Sequence, residues 1–303
     1  MLNSSRDVVD GPDFICVGMP KAGTGWLFDH LHCHPDFWMP PVKEMLYLRG
    51  KWPHIPIEGE RGGIGIKLLE EGLRPDRRAK PHEGSRDRNV DLAFVEEAKL
   101  CNSAPRDLDR YAALFRFKRG RLSGDISPVY ADLDENAIAQ VADRFPNTKL
   151  LLMVRDPVAR AWSRINMMPD RKFDQAMLQD ADRFRNFLKT SPHIRDFSYP
   201  VGVVKRWRSH APGLSLRHFL LDDVVAEPEK TRAEIWAYLG ADPNKKTDLP
   251  ADYNRKRKGG KSARPEITEM ARAVLVDFFR DEILAGAAVF GGRASAWPAK
   301  YGL

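Results

Sequence analysis

A short stretch near the start of the chain combines glycines, a lysine and a threonine in a pattern that could bind an anion. Residues 14–17 are apolar, Gly18 and Gly23 flank a turn that carries Lys21, and apolar residues then recur at helical spacing. Glycines let main-chain N–H groups approach an anion, a helix N-terminus adds partial positive charge, and a lysine adds a full charge. The stretch therefore predicts a strand, an anion-binding loop and a helix.

The position of the lysine separates this loop from the common nucleotide loop, which reads Gly, four residues, Gly-Lys and then Ser or Thr. Gly18 and Gly23 keep the glycine spacing, but Thr24 occupies the lysine position and Lys21 precedes Gly23. The pattern is therefore not that of an ordinary ATP or GTP loop with its lysine and Mg²⁺-binding hydroxyl.

A second candidate for anion binding follows residues 149–154, an almost continuous apolar run that is typical of a parallel strand buried on both faces. Arg155 comes directly after this run, and ligands in open α/β sheets bind beyond the carboxyl ends of the strands. A guanidinium group can hold a phosphate by two hydrogen bonds. Ser163 lies about two helical turns further on, so its hydroxyl could contact the same anion.

The two motifs resemble those of the sulfotransferase family, whose members use 3′-phosphoadenosine 5′-phosphosulfate (PAPS). Lys21-x-Gly23-Thr24 at a strand-to-helix turn is similar to the family's 5′-phosphosulfate loop, and Arg155 with Ser163 is similar to its 3′-phosphate motif. The resemblance implies PAPS as the sulfuryl donor, adenosine 3′,5′-bisphosphate as the product, and no metal. The cofactor-binding residues implied by these two motifs are Lys21, Ala22, Gly23, Thr24, Gly25, Trp26, Arg155 and Ser163.

Three weaker matches extend the resemblance from about residue 14 to residue 284. Residues 124–130 resemble a Gly-Glu-x-Ser-Pro-x-Tyr stretch of bacterial and heparan-type members, and residues 220–228 resemble the late strand and acidic turn of the family. Residues 258–265 resemble a basic loop over the nucleotide, although their spacing departs from the usual Lys-Gly-Arg-x-x-Pro. The resemblance implies cofactor contacts at Lys258, Gly260 and Lys261, and which of Lys258, Lys261 and Arg264 touches the nucleotide stays open.

Sulfuryl transfer to a hydroxyl group calls for a general base and for cations near the developing negative charge. Residues 40–47 resemble the segment of heparan-type sulfotransferases that carries a catalytic glutamate, which implies that Glu44 is the base. Lys21 would stabilise the leaving phosphate, and Lys43 could assist. A histidine base, as in the small-molecule branch of the family, stays open through His54 or His82.

Strands alternate with helices along the chain, which predicts an α/β fold with a parallel sheet covered on both sides. We expect a P-loop-like three-layer α/β/α arrangement with a central, mostly parallel sheet in a single domain spanning residues 1–303. Residues 49–88 are rich in glycine, proline and charge, and we expect a mobile loop or insertion over the acceptor site, with a short strand near residues 64–69.

Composition limits the partners without selecting one. The net charge of +7 favours anionic partners such as nucleotides, acidic glycans, nucleic acid or membrane phosphates. Three scattered cysteines favour a reducing compartment. No apolar run approaches the roughly 20 residues of a membrane span, and the first residues lack a signal-peptide core. We therefore expect a bacterial cytoplasmic enzyme or a trimmed piece of a longer protein.

The sequence thus favours a PAPS-dependent O-sulfotransferase that acts on a hydroxyl group of a carbohydrate or glycoconjugate. It does not favour a protein that binds nucleic acid. A lipid or natural-product alcohol is the alternative acceptor. Two alternatives from other classes stay open at this point. One is a P-loop small-molecule kinase, which requires Mg²⁺ and ATP; the other is a nucleic-acid binder that uses the basic residues 255–261.

Overall fold

The fold is built on a four-stranded sheet, seen in a computed structural model that describes residues 11–49, 87–102, 107–168, 175–254 and 266–303. Strand order is β2-β1-β3-β4, and each neighbouring pair is parallel. The strands are β1 Phe14–Gly18, β2 Gly124–Ile126, β3 Lys149–Val154 and β4 Leu216–Leu220. Helices flank this sheet, which confirms the predicted P-loop-like α/β class and the interior position of strand 149–154.

The helices follow in chain order. They are α1 Thr24–His32, α2 Arg88–Asn102, α3 Leu108–Ala113, α4 Glu135–Arg144, α5 Pro157–Ile165, α6 Ala181–Thr190, α7 Pro192–Arg195, α8 Pro200–His210, α9 Leu221–Ala226, α10 Pro228–Leu239, α11 Glu269–Phe278, α12 Arg280–Phe290 and α13 Trp297–Lys300. Short 3₁₀ turns cover Tyr47–Arg49, Arg116–Lys118, Pro128–Asp132, Gln175–Gln179, Asp196–Ser198 and Gly292–Ala296.

The core lies on both faces of the sheet. All five residues of β1 are buried, and β3 is buried from its second residue to its last. Because β1 and β3 are adjacent and parallel, the segments that follow them leave the sheet at the same edge. This topology brings the loop after β1 and the start of α5 together.

One terminal helix differs from its prediction. The pattern over residues 265–284 predicts a single amphipathic helix, whereas the structure has α11 and α12, separated at Phe279. Phe279 leaves the helical backbone conformation (φ −108°, ψ 15°) and is buried. No glycine or proline marks the break, so periodicity alone could not show it.

Some predictions lie outside the described residues. The strand near residues 64–69 and all but the ends of the 49–88 loop fall there. Across the described ranges, no helix has the length and apolar character needed to cross a membrane.

Candidate active site

The loop between β1 and α1 has the features of an anion site. Gly23 adopts φ +93°, a left-handed backbone that strains residues with a side chain, and a Cβ atom there would lie 2.9 Å from the Leu221 Cδ1 atom. All of helix α1 lies within the described residues. It has no side-chain cap at its N-terminus and no acidic residue in its first turn. Asp156, by contrast, caps α5 by accepting from the Ala159 N–H over 2.8 Å. The first turn of α1 therefore presents N–H groups that an anion can accept.

Arg155 reaches this loop from the end of β3. Its Nη1 donates a hydrogen bond to the main-chain oxygen of Lys21 over 3.2 Å, although the two residues are 134 positions apart. The structure thus brings together the two motifs from which the resemblance was drawn.

Two cavities meet at Arg155. The first, here called the loop cavity, has a volume of about 600 Å³ and is lined by Lys21, Thr24, Gly25, Glu44 and Arg155, among others. The second, here called the Ser163 cavity, has a volume of about 270 Å³ and is lined by Arg155 and Ser163, together with Trp162 and Tyr301. An elongated anion with two phosphate groups could therefore contact Lys21 in one cavity and Ser163 in the other.

Arg160 forms part of the loop-cavity wall although its side chain is almost completely buried (2% exposed). Its Nη1 donates to the Ile194 oxygen over 2.8 Å and to Ser198 Oγ over 3.0 Å, and its Nη2 donates to the His193 oxygen over 3.0 Å. Burial, together with the neighbouring Arg164 and Arg155, lowers the pKa of Arg160 to about 9. The group is still cationic at neutral pH and adds positive potential to the wall.

The charge around the loop cavity is mostly positive. Of its lining residues in the described part of the chain, the acidic member is Glu44. The cations are Lys21, Lys43, Arg155, Arg160 and Arg164. Such a wall favours a multiply charged anion.

Glu44 faces the loop cavity from a segment without regular secondary structure. Its side chain is 43% exposed, and Lys43 Nζ donates to its Oε1 over 3.2 Å. The backbone at Glu44 is left-handed, with φ +67°. This conformation is uncommon for a residue other than glycine.

Two of the remaining predicted cofactor residues differ in what their side chains can contribute. Ala22 is fully buried, so its main chain alone could face a ligand. Trp26 lines the loop cavity, but its indole N–H is bonded to the Ala251 oxygen over 2.8 Å. The other predicted contacts, Lys258, Gly260 and Lys261, lie outside the described residues, as do the alternative bases His54 and His82.

The histidines of α1 and of the turn that follows it have structural contacts. His30 Nε2 lies 3.2 Å from the Tyr253 oxygen, and His34 Nε2 lies 3.0 Å from the Asp242 oxygen. Burial lowers the pKa of His30 to about 4, so this imidazole is neutral at pH 7. With Trp26, these residues connect α1 and the turn after it to main-chain oxygens of Asp242, Ala251 and Tyr253.

Several lining residues were not singled out from the sequence. Arg160 belongs to the same sequence motif as Arg155. It was not predicted to line the site because a charged residue on a helix is usually exposed to solvent. Arg164, His193, Phe197 and Asn254 also line the loop cavity. His193 and Phe197 come from α7 and the turn after it, which no sequence pattern linked to the site.

These features define an α/β protein with an anion-binding strand–loop–helix unit. They are the parallel sheet, the glycine–lysine loop at its carboxyl edge and Arg155, which faces that loop. A family model described as the Sulfotransferase family matches residues 12–244. The chain therefore belongs to the Sulfotransferase family.

Individual relatives agree with this assignment. The chain is 29% identical over 166 residues to carbohydrate sulfotransferase 15 of Rattus norvegicus, a match that covers 50% of this chain and 26% of that protein's length. A solved sulfotransferase from Alicyclobacillus acidocaldarius has a TM-score of 0.56 and 22% identity, over 94% of this chain and 98% of that chain. A sulfotransferase domain from the curacin biosynthetic pathway has a TM-score of 0.50 and 13% identity, over 88% and 97% of the two chains. At these identities the two solved structures support the fold alone.

Proposed function

We propose that this protein transfers the sulfuryl group of PAPS to a hydroxyl group of a carbohydrate or glycoconjugate. The observation that carries the proposal is that Lys21, Arg155 and Glu44 all line the loop cavity. Arg155 also lines the Ser163 cavity. The same set of residues thus offers cations for a nucleotide and a carboxylate for an acceptor.

The residues around the two cavities fit PAPS. The uncapped first turn of α1 suits the phosphosulfate, with contacts from Lys21 and from the main chain at Ala22, Gly23, Thr24, Gly25 and Trp26. Arg155 and Ser163 suit the 3′-phosphate. The family resemblance adds Lys258, Gly260 and Lys261. Side chains supply the positive charge in this scheme, so the proposal needs no metal.

Each residue has a distinct role in the proposed reaction. PAPS supplies the sulfuryl group, so that a bond from sulfur to the acceptor oxygen forms as the bond to the 5′-phosphate oxygen breaks. Glu44 accepts the proton of the acceptor hydroxyl, which makes that oxygen a better nucleophile. Lys21 stabilises the negative charge that grows on the departing phosphate. Lys43, which is bonded to Glu44, helps to hold the carboxylate in the cavity.

Two observations support a carbohydrate as the acceptor. Residues 40–47 resemble the glutamate segment of heparan-type enzymes, and the matched rat protein is a carbohydrate sulfotransferase. A lipid or natural-product alcohol would use the same base and the same donor, so the acceptor panel below includes all three classes.

Nucleotide binding is the first test, and isothermal titration calorimetry measures it. We expect adenosine 3′,5′-bisphosphate to bind at one site, and to bind more tightly than ATP with Mg²⁺. Equal affinity for the two nucleotides would favour a kinase instead. Binding that falls steeply with salt for DNA or RNA, without competition from the bisphosphate, would favour a nucleic-acid binder.

Transfer is the second test, with labelled PAPS and a panel of carbohydrate, lipid and small-molecule alcohols. We expect label on a carbohydrate, and we expect the Glu44→Gln variant to bind adenosine 3′,5′-bisphosphate normally while losing most of its turnover. Unchanged turnover in this variant would remove Glu44 from the mechanism. Failure of the wild-type protein both to bind the bisphosphate and to label any acceptor would reject the function.

A further inference from the structure

A buried carboxylate lies beneath the segment that carries Glu44. Asp125, in β2, is 1% exposed and accepts hydrogen bonds from Ser127 Oγ over 2.7 Å, from the Tyr130 hydroxyl over 2.6 Å and from the Tyr111 hydroxyl over 3.1 Å. Burial raises the pKa of Asp125 to about 6, and these hydroxyl donors act in the opposite direction. The carboxylate is therefore mainly ionised at pH 7.5 and can accept several donors.

Two of the three hydroxyl groups that donate to Asp125 also accept hydrogen bonds from main-chain N–H groups after Glu44. Ser127 Oγ accepts from the Leu46 N–H over 3.0 Å, and the Tyr130 hydroxyl accepts from the Leu48 N–H over 3.2 Å. The main chain at Met45 also lies close enough to Asp125 to lower the pKa of this carboxyl group. The main-chain N–H groups of Leu46 and Leu48 are thus connected to one carboxylate, each through one hydroxyl group.

This segment needs such support because its backbone is unusual. Glu44 and Leu46 have φ values of +67° and +59°. A left-handed conformation costs a residue with a side chain about 1–2 kcal/mol, and residues 41–46 belong to no helix or strand that could offset this cost. The Glu44 side chain is partly exposed and accepts from the neighbouring Lys43.

We propose that Asp125, Ser127 and Tyr130 form a positioning relay that fixes the backbone at Glu44 and so directs its carboxylate into the loop cavity. The inference rests on the proposed function, because it assigns the relay to the proposed base. The relay touches neither donor nor acceptor; it acts through Glu44.

Tyr111 provides a matched control for the relay. Tyr111 and Tyr130 are both fully buried, and both donate to Asp125 Oδ2. Among the described residues, the Tyr130 hydroxyl also accepts from residues 45–48, whereas the Tyr111 hydroxyl does not. Tyr130→Phe and Tyr111→Phe therefore remove the same atom from the same carboxylate, and Tyr130→Phe alone breaks the link to the backbone.

The test compares kcat, KM for PAPS, the Kd for adenosine 3′,5′-bisphosphate and the urea midpoint of each variant. We expect Tyr130→Phe to lower kcat about 10- to 100-fold, the range of effects seen when a reacting group is misplaced by about 1 Å. KM and Kd should stay within about twofold, because the relay bonds to the main chain at Leu46 and Leu48, whereas the proposed nucleotide contacts lie at residues 21–26, Arg155 and Ser163. Ser127→Ala, a smaller change, should act in the same direction, and Tyr111→Phe should leave kcat near the wild-type value.

A double variant separates positioning from general destabilisation. If the relay acts through Glu44, then Tyr130→Phe should cause no further loss of kcat in a Glu44→Gln background. Equal losses in both backgrounds, or equal kcat in the Tyr130→Phe and Tyr111→Phe variants, would overturn the relay while leaving sulfuryl transfer by the wild-type protein intact. Failure of the wild-type protein to transfer the label would reject the proposed function and the relay together.

Discussion

The guanidinium of Arg160 donates from Nε to the main-chain oxygen of Pro20 over 3.1 Å. Arg155, from the same motif, donates to the next main-chain oxygen, that of Lys21. Two arginines five positions apart therefore hold consecutive carbonyl groups of the loop after β1. These hydrogen bonds fix the position of the loop and keep the positive charge of both arginines close to the loop cavity.

Arg160 should be important for stability as well as for binding. Arg160→Lys keeps the charge but cannot reach the carbonyls of Pro20, His193 and Ile194 at once, because an ammonium group lacks the planar fork of arginine. We expect the free energy of unfolding to fall by about 2–4 kcal/mol, since buried carbonyls lose their donors. We also expect roughly tenfold weaker binding of adenosine 3′,5′-bisphosphate, converted from about 1.4 kcal/mol.

Arg164→Lys is the matched control for this change, because Arg164 lies one helical turn further along α5 and is only half-buried. Urea unfolding of the control should stay within about 0.5 kcal/mol of the wild-type protein. A similar loss of stability in both variants would show that Arg160 has no special role in holding the loop.

Arg155 should act mainly on nucleotide affinity. Arg155→Lys replaces a two-pronged phosphate contact by a single charge, so we expect the Kd for adenosine 3′,5′-bisphosphate to rise about 10- to 100-fold, which corresponds to the loss of about 1.5–3 kcal/mol for a charged hydrogen bond. Calorimetry provides the measurement. Arg217→Lys is the control. Arg217 lies on β4 and forms an exposed ion pair with Glu234, so this change should leave the Kd unchanged. An unaffected Kd in the Arg155 variant would place the 3′-phosphate elsewhere.

Much of the site could be predicted because its parts are local or follow from sheet topology. A glycine–lysine turn between an apolar run and a helical pattern specifies the loop within a dozen residues. The position of Arg155 follows because adjacent parallel strands end at the same edge of a sheet. The contact between Arg155 and Lys21 agrees with that expectation.

The rest could not be predicted because it depends on distant contacts. Arg160 is buried although it is charged, and its acceptors at residues 193–198 come from a part of the chain with no motif. The left-handed backbone at Glu44 is marked by no glycine, and the hydroxyl groups that accept from Leu46 and Leu48 come from some 80 residues away. The break at Phe279 also lacks a local signal, since neither glycine nor proline stands there.

Gly25 offers a way to separate ligand contact from folding. A Cβ atom added at Gly25 would meet no protein atom within 4 Å, and the residue lines the loop cavity. Because alanine also favours a helix over glycine by up to about 1 kcal/mol, Gly25→Ala should not lower the melting temperature. It should nevertheless weaken binding of adenosine 3′,5′-bisphosphate about tenfold, because the added methyl group stands where the phosphate approaches the main chain.

Gly23→Ala is the contrasting change, because the left-handed backbone and the contact with Leu221 make a side chain there strained. It should lower both the melting temperature and the affinity. If Gly25→Ala bound the bisphosphate as tightly as the wild-type protein, the first turn of α1 would not be the phosphate site.

Glu282 should make stability depend on pH. It lies in α12, is largely buried, and accepts from the Val201 N–H at the start of α8 over 2.8 Å. Burial raises the pKa of Glu282 to about 7 from its ordinary value of 4.5. Between pH 4.5 and pH 7 the folded protein therefore binds more protons at this group than the unfolded chain does, so its contribution to the free energy of unfolding falls as pH rises.

Glu282→Gln removes this ionisation but keeps an oxygen that can accept from Val201. At pH 8 we expect the variant to be more stable than the wild-type protein, by an amount of the order of 1 kcal/mol, whereas at pH 5 the difference should shrink or reverse. Urea unfolding at the two pH values measures this change. Glu234→Gln, which removes an exposed carboxylate paired with Arg217, is the control. A gain in stability that is the same at pH 5 and pH 8 would show that the Glu282 carboxyl group does not take up its proton in this range.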